Sequence, residues 1–323
     1  MYTEIQRRRK RKYYYLAHTV RLDSGFKKVR VFMGVDLSKE ALEKEKKKKQ
    51  DILNKKVEVI ESTEKEQFVM KINFAQKLFT KEQRHKLEKL KKQFTKKLQI
   101  TDKDILRQVR ESFLIKYTYN TNAAEGNTIS LKETELIIKK DAIPKSHSLR
   151  EVHEIENTVK AYQFVEYYQR KLDPKFILDL YKLVIKNTLI NPKNEGRYRS
   201  KGQNVAMTGS NYFSPKGGRE IKKLMDEIIE RYNTSKLSRI ESAILFHSAF
   251  ILIHPFIDGN GRVSRLIFNW MLIQEDLPPV NFPSTDHIEY TDLMEISRGG
   301  DSIPLANHLL GKIIENSMST EIK

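Results

Sequence analysis

Twelve consecutive residues, His254-Pro-Phe-Ile-Asp-Gly-Asn-Gly-Arg-Val-Ser-Arg265, constrain this chain more than any other part of it. The run from Ala243 to Ile253 before them is mostly apolar, and so is the run from Leu266 to Leu272 after them, so two helices meet here across a short loop. Gly259 and Gly261 permit backbone angles closed to other residues, and successive amide N–H groups then converge where the second helix begins, a geometry that binds phosphate. Arg262 and Arg265 stand three residues apart on one helical face and offer two guanidinium groups to a polyphosphate. His254 supplies a titratable imidazole, and Asp258 a hard oxygen ligand of the kind magnesium takes.

At these positions the sequence resembles the signature of the Fic/DOC family, His-x-Phe-x-(Asp/Glu)-Gly-Asn-Gly-Arg-x-x-Arg, and every specified position is matched. The resemblance covers residues 101–323 and implies a mainly α Fic fold with a β-hairpin flap. It implies a nucleotidyltransferase of the protein adenylyltransferase type, moving AMP from ATP to a Ser, Thr or Tyr hydroxyl of a target protein (AMPylation). In that scheme His254 takes the proton of the attacking hydroxyl, and Asp258 holds Mg2+ between the α- and β-phosphates. The amides around Gly259, Asn260 and Gly261 stabilise charge on the α-phosphate, and Arg262 and Arg265 neutralise the β- and γ-phosphates.

Thr121-Asn-Ala-Ala-Glu125-Gly126 places a carboxylate four residues after a hydroxyl, with a glycine to end the helix. The segment resembles the family's inhibitory motif, (Ser/Thr)-x-x-x-Glu-(Gly/Asn), here N-terminal to the signature on a helix near residues 113–126. Thr121 and Glu125 are its inhibitory residues, and the resemblance implies that Glu125 pairs with Arg265. One guanidinium cannot serve a buried carboxylate and a phosphate at once. Val205-Ala206-Met207-Thr208, within a stretch of β-branched and turn residues after Gly196-Arg-Tyr-Arg199, resembles the flap that holds a target side chain by strand-like pairing. Tyr290 is the residue available to hold adenine, but Arg298 stands where relatives often have an asparagine, which leaves the base less determined than the polyphosphate. Three alternatives stay open: removal of AMP, with Glu125 orienting water; transfer of UMP, phosphate or phosphocholine, as in some relatives; and a regulator acting through the basic N-terminal third. The resemblance also leaves a homodimer open.

Composition supports an enzyme without disulfides or thiolate metal sites, because cysteine is absent from the 323 residues. No apolar stretch approaches the roughly 18 residues needed to span a bilayer, so the sequence predicts a cytoplasmic protein with no membrane partner. The formal charge of +18 is concentrated: residues 1–100 hold 29 Lys and Arg against 13 Asp and Glu. That region leaves a nucleic acid or an acidic partner open.

The expected layout has three parts. Residues 1–36 form a basic β-hairpin, Tyr13–Leu16 and Lys27–Met33 flanking the turn Asp23-Ser-Gly25. Residues 37–100 are a basic helical region: an exposed helix over Lys39–Asn54, a short strand or link at Val57–Ile60, and a helix opened by the capping box at Thr80–Gln83. Residues 101–323 are the Fic domain, with a helix capped by Thr101–Asp104, the inhibitory helix near 113–126, and further helices expected near 131–138, 151–169, 174–185, 218–232, 243–253, 266–272, 290–296 and 303–314. His247, seven residues before His254, reads as a core histidine.

Overall fold

In a computed structural model the chain is described over residues 1–8, 11–22, 25–63, 72–140, 147–203, 217–283 and 286–319. It packs as two compact units, Met1–Ile72 with Thr285–Leu305 and Asn73–Ser284 with Ala306–Lys323.

The first unit is built on an antiparallel sheet in the order β1 (Tyr2–Arg8), β2 (Arg11–Leu22), β3 (Gly25–Val35). The expected hairpin is therefore the β2–β3 pair, joined by an additional strand. β1 holds only Tyr2 and Ile5, three apart, among polar residues and so carries no alternation to betray it, but Glu4 pairs with Tyr15 and Tyr2 with Ala17 in register. Alternate residues Tyr14, Leu16, Val20, Val29, Val31 and Met33 face helix α1 (Lys39–Thr63) and bury against its Leu53 and Ile60. This corrects the expectation at Val57–Ile60. Leu53, Val57 and Ile60 recur at helical spacing, so the helix runs on through them to reach the sheet.

The lysine-rich run of α1 is also less solvated than its composition suggests. Lys49 is buried and bonds Glu289 at 2.5 Å, while Lys56 is buried beside Asp292 at 2.6 Å and Glu295 at 3.2 Å. These acids lie on α10 (His287–Arg298), a helix distant in sequence that completes the unit.

In the second unit, α2 (Lys81–Ile100) opens with the expected box: Gln83 N–H donates to Thr80 Oγ1, and Thr80 N–H donates back to Gln83 Oε1. α3 (Lys103–Ala123) is capped by Asp102, followed by α4 (Leu131–Lys140), α5 (Leu149–Tyr167) and α6 (Pro174–Ile185). Then come α7 (Arg219–Thr234), α8 (Arg239–Ile253) and α9 (Asn260–Ile273); α11 (Ile303–Ser319) continues from the first unit. The composition shift near residue 100 is not an edge of packing, since α2 and α3 share this unit.

α8 is the centre. Every residue from Ile240 to Ile253 is buried, which makes it a core helix covered on all sides. Its one carboxylate, Glu241, is 1% exposed and accepts from Leu78 N–H, Phe79 N–H and Arg84. Burial pushes that carboxyl up, but these bonds together hold it down to about 2. α9 packs on α8, α5 and α6, so the loop joining α8 to α9 is fixed at both ends by core.

Candidate active site

The loop between α8 and α9 begins and ends on left-handed residues. His254 closes α8 with φ 50° and Gly259 opens α9 with φ 75°. For a histidine that conformation costs about a kilocalorie or more, and the structure shows what holds it. Arg199, 2% exposed, donates from Nε to His254 O at 2.7 Å and from Nη2 to Ile253 O at 3.2 Å. Its own N–H donates to Pro255 O at 2.9 Å. Phe256 anchors the loop from within, stacked on Tyr181 at 3.7 Å and near Tyr198 at 5.6 Å. Asn260 closes it: Nδ2 donates to Phe256 O and Oδ1 accepts from Phe256 N–H. The Asn260 side chain is thus spent on bracing, and only its backbone remains for a ligand.

The His254 ring donates from Nδ1 to Ile251 O at 3.3 Å, which leaves Nε2 with its lone pair. The ring keeps partial access to solvent, but its surroundings are dense. Burial pushes its pKa down to about 4, with Arg199 lowering it further against the Ile251 carbonyl, Glu125 and Asp258. At neutral pH the imidazole is uncharged and ready to accept a proton.

Arg262 is 1% exposed, yet its Nε and Nη1 make no hydrogen bond within the protein; Nη1 lies 3.4 Å from Glu154 Oε1 without bonding geometry. A buried guanidinium left short of acceptors is suited to an anion. Nη2 reaches Asp258 Oδ1 at 3.4 Å, and the other Asp258 oxygen takes Arg150 Nη2 at 2.8 Å. Asp258 also accepts from Gly259 N–H at 2.5 Å. One carboxylate is the donor set here, which fits Mg2+ only when substrate phosphates and water complete an octahedron.

Arg265, 3% exposed, is engaged through Nε and Nη2. Nε donates to Thr121 Oγ1 at 2.8 Å, and Nη2 donates to Thr121 O at 3.0 Å and Glu125 Oε1 at 2.7 Å. Glu125 sits just past the end of α3, whose terminus is clasped to α5: Asn122 donates to Thr158 Oγ1, and Asn127 to Glu154 Oε2. A β-carbon at Gly261 would lie 2.1 Å from Glu125 Oε1, so glycine there admits the carboxylate.

The structure thus brings His254, Asp258, Gly259, Asn260, Gly261, Arg262, Arg265, Thr121 and Glu125 together. Val205, Ala206, Met207 and Thr208 lie outside the described residues. Tyr290 and Arg298 are on α10, in the unit that does not carry the signature. His247 is core: it lies 5.3 Å from Phe268, bonds Ser264, and is pushed down to about 3 by burial. Sequence reasoning missed Arg199, Arg150 and Glu154. Arg199 ends the run Gly196-Arg-Tyr-Arg199, whose visible signal is one tyrosine between two arginines, and the other two sit among ordinary helical charges.

Residues 171–272 match the model of the Fic/DOC family. Protein adenylyltransferase fic-1 of Caenorhabditis elegans is 29% identical over 213 residues, which is 63% of this chain and 40% of that protein. Protein adenylyltransferase Fic of Drosophila ananassae is 28% identical over 211 residues, 63% of this chain and 41% of that one. The chain therefore spans about 40% of the length of these relatives. Among solved structures, a Fic domain containing signaling protein from Bacteroides thetaiotaomicron superposes with a TM-score of 0.63 at 25% identity, over 72% of this chain and 96% of that one. A Fic-1 fragment from C. elegans gives 0.64 at 24% identity, over 74% and 71%.

Proposed function

We propose that this chain, whose residues 171–272 match the model of the Fic/DOC family, transfers AMP from ATP to a hydroxyl side chain of a target protein and is held inactive by its own Glu125. The observation that carries the reading is Arg265 gripped at 2.7 Å by Glu125, three residues along the helix from a buried Arg262 whose Nε and Nη1 lack protein acceptors.

The chemistry follows from these groups. Nε2 of neutral His254 accepts the proton of the target hydroxyl as its oxygen attacks the α-phosphorus. The bond from that phosphorus to the bridging oxygen breaks, and pyrophosphate leaves. Backbone N–H groups at the start of α9 and the N-terminal end of that helix's dipole face the charge that develops on the α-phosphate. Arg262 takes up β-phosphate charge, and Arg265 takes the γ-phosphate once Glu125 has let it go. Asp258, released from Arg150, would hold Mg2+, which supplies neutralisation of the polyphosphate. Tyr290 is the proposed contact for the base, Val205–Thr208 the proposed strand against which the target aligns, and the cytoplasm the proposed compartment. Forward transfer is the favoured direction, since the similar proteins are named adenylyltransferases. Among the described residues no helix is long and apolar enough to cross a membrane.

ATP labelled at the α- or the γ-phosphate separates this from phosphate transfer. With the Glu125→Gly protein and Mg2+, α-label is expected to become protein-bound and γ-label to leave as pyrophosphate. Incorporation of γ-label would overturn nucleotidyl transfer.

A further inference from the structure

The signature accounts for none of the charge in the first unit. Residues 1–35 alone hold ten Lys and Arg against two acids, Glu4 and Asp23. The sheet sorts its residues by face. With Tyr14, Leu16, Val20, Val29, Val31 and Met33 turned to α1, the alternation puts Tyr15, Ala17, Thr19 and Arg21 of β2, with Phe26, Lys28, Arg30 and Phe32 of β3, on the opposite face. Register sets them side by side: Arg21 opposite Phe26, Thr19 opposite Lys28, Ala17 opposite Arg30.

That face presents cations between two exposed rings, Tyr2 and Phe26, which stand apart on opposite outer strands and at different register positions. Lys28 and Arg30 side chains are 52% and 46% exposed, and Thr19 and Arg21 are exposed as well. Tyr15 is only 3% exposed: the Arg30 guanidinium lies 5.3 Å over its ring, and Phe32 packs at 5.5 Å. The aromatic residues are a floor that stiffens Arg30, and Glu4 holds the heads of Lys28 and Arg30 at 3.1 and 3.4 Å. A single strand would need neighbouring open aromatic faces on which successive bases stack, and Tyr2 and Phe26 are four positions apart along β2 with the buried Tyr15 giving no third platform. A double helix needs cations fixed at the spacing of its phosphates, and its major groove, about 12 Å wide, admits a two-stranded ribbon.

We propose that the outer face of the β1–β3 sheet binds duplex DNA, with Arg21, Lys28 and Arg30 on the phosphate backbone and the β2–β3 ribbon along the major groove. This binding is separate from nucleotide transfer and stands whether or not transfer is confirmed.

The test is fluorescence anisotropy of the full chain with a labelled duplex of about 20 base pairs, titrated between roughly 50 and 200 mM salt, a range over which phosphate contacts weaken steeply. Wild type is expected to bind at low salt. Arg21→Ala/Lys28→Ala/Arg30→Ala should weaken binding at least tenfold and reduce the slope of log affinity against log salt by about 2 to 3. Glu4→Gln, which removes the acid that pairs with Lys28 and Arg30 and leaves the sheet's backbone pairing untouched, should tighten binding several-fold; it decides the matter if circular dichroism shows the triple variant unfolded. No duplex binding at low salt, equal binding by a folded triple variant, unchanged or weaker binding by Glu4→Gln, or stronger binding of single-stranded DNA or RNA would each overturn the proposal.

Discussion

At the scale of single residues, the dense surroundings of His254 set the pH dependence expected of the proposed transfer. A solvated imidazole would lose its basicity as pH falls through about 6.5. Burial lowers the folded value to about 4, so the neutral ring is present above that value and is lost only as pH falls through it. We expect kcat/KM for transfer by the Glu125→Gly protein to stay level from pH 8 to about 5 and to fall with an apparent pKa of 4 or below, because removing Glu125 also removes one influence that raises it. An acid limb near 6.5 would show a ring in water and contradict the geometry. Arg199 matters here in a second way. Three loop carbonyls accept from it, and it is this bonding, not the signature itself, that keeps His254 in its left-handed turn.

Between elements, the first unit depends on charges that its sequence places on unrelated helices. α1 and α10 meet through Lys56, Asp292 and Glu295, all with side chains less than 15% exposed. Asp292 also accepts from Phe32 N–H of β3, so a single carboxylate ties helix, helix and sheet edge. Removing one member of a buried cluster strands the others, at a cost of about 3–5 kcal/mol. Lys56→Met should therefore lower the unfolding free energy by an amount in that range, read from a denaturant titration followed by circular dichroism. A loss below about 0.5 kcal/mol, the usual size for an exposed pair, would show that the cluster is solvated.

Across the whole molecule, what the sequence disclosed follows the distance over which each signal acts. The signature was legible because histidine, carboxylate, glycine turn and arginines lie on twelve neighbouring residues, and its loop geometry is local. Glu125 was legible only through resemblance; no spacing rule says that residue 125 meets residue 265. Arg150 and Glu154 were invisible, since their meaning lies in Asp258 and Arg262, more than a hundred residues away. β1 hid because an edge strand facing solvent needs no apolar rhythm, and α1 looked like a solvated helix because the acids that bury its lysines sit on α10. Capping boxes at Thr80, Ser148 and Ser238 are formed by residues three apart, and the one at Thr80 stands where the sequence placed it.

The central claim is that one carboxylate decides whether Arg265 serves the protein or the nucleotide. The most direct measurement is intact mass after incubation with ATP and Mg2+ of wild type, Glu125→Gly and Glu125→Gly/His254→Ala. The account predicts an AMP adduct on Glu125→Gly alone. Wild type modified as fast as Glu125→Gly would contradict the inhibitory pairing, and an adduct on the double variant would contradict His254 as the base.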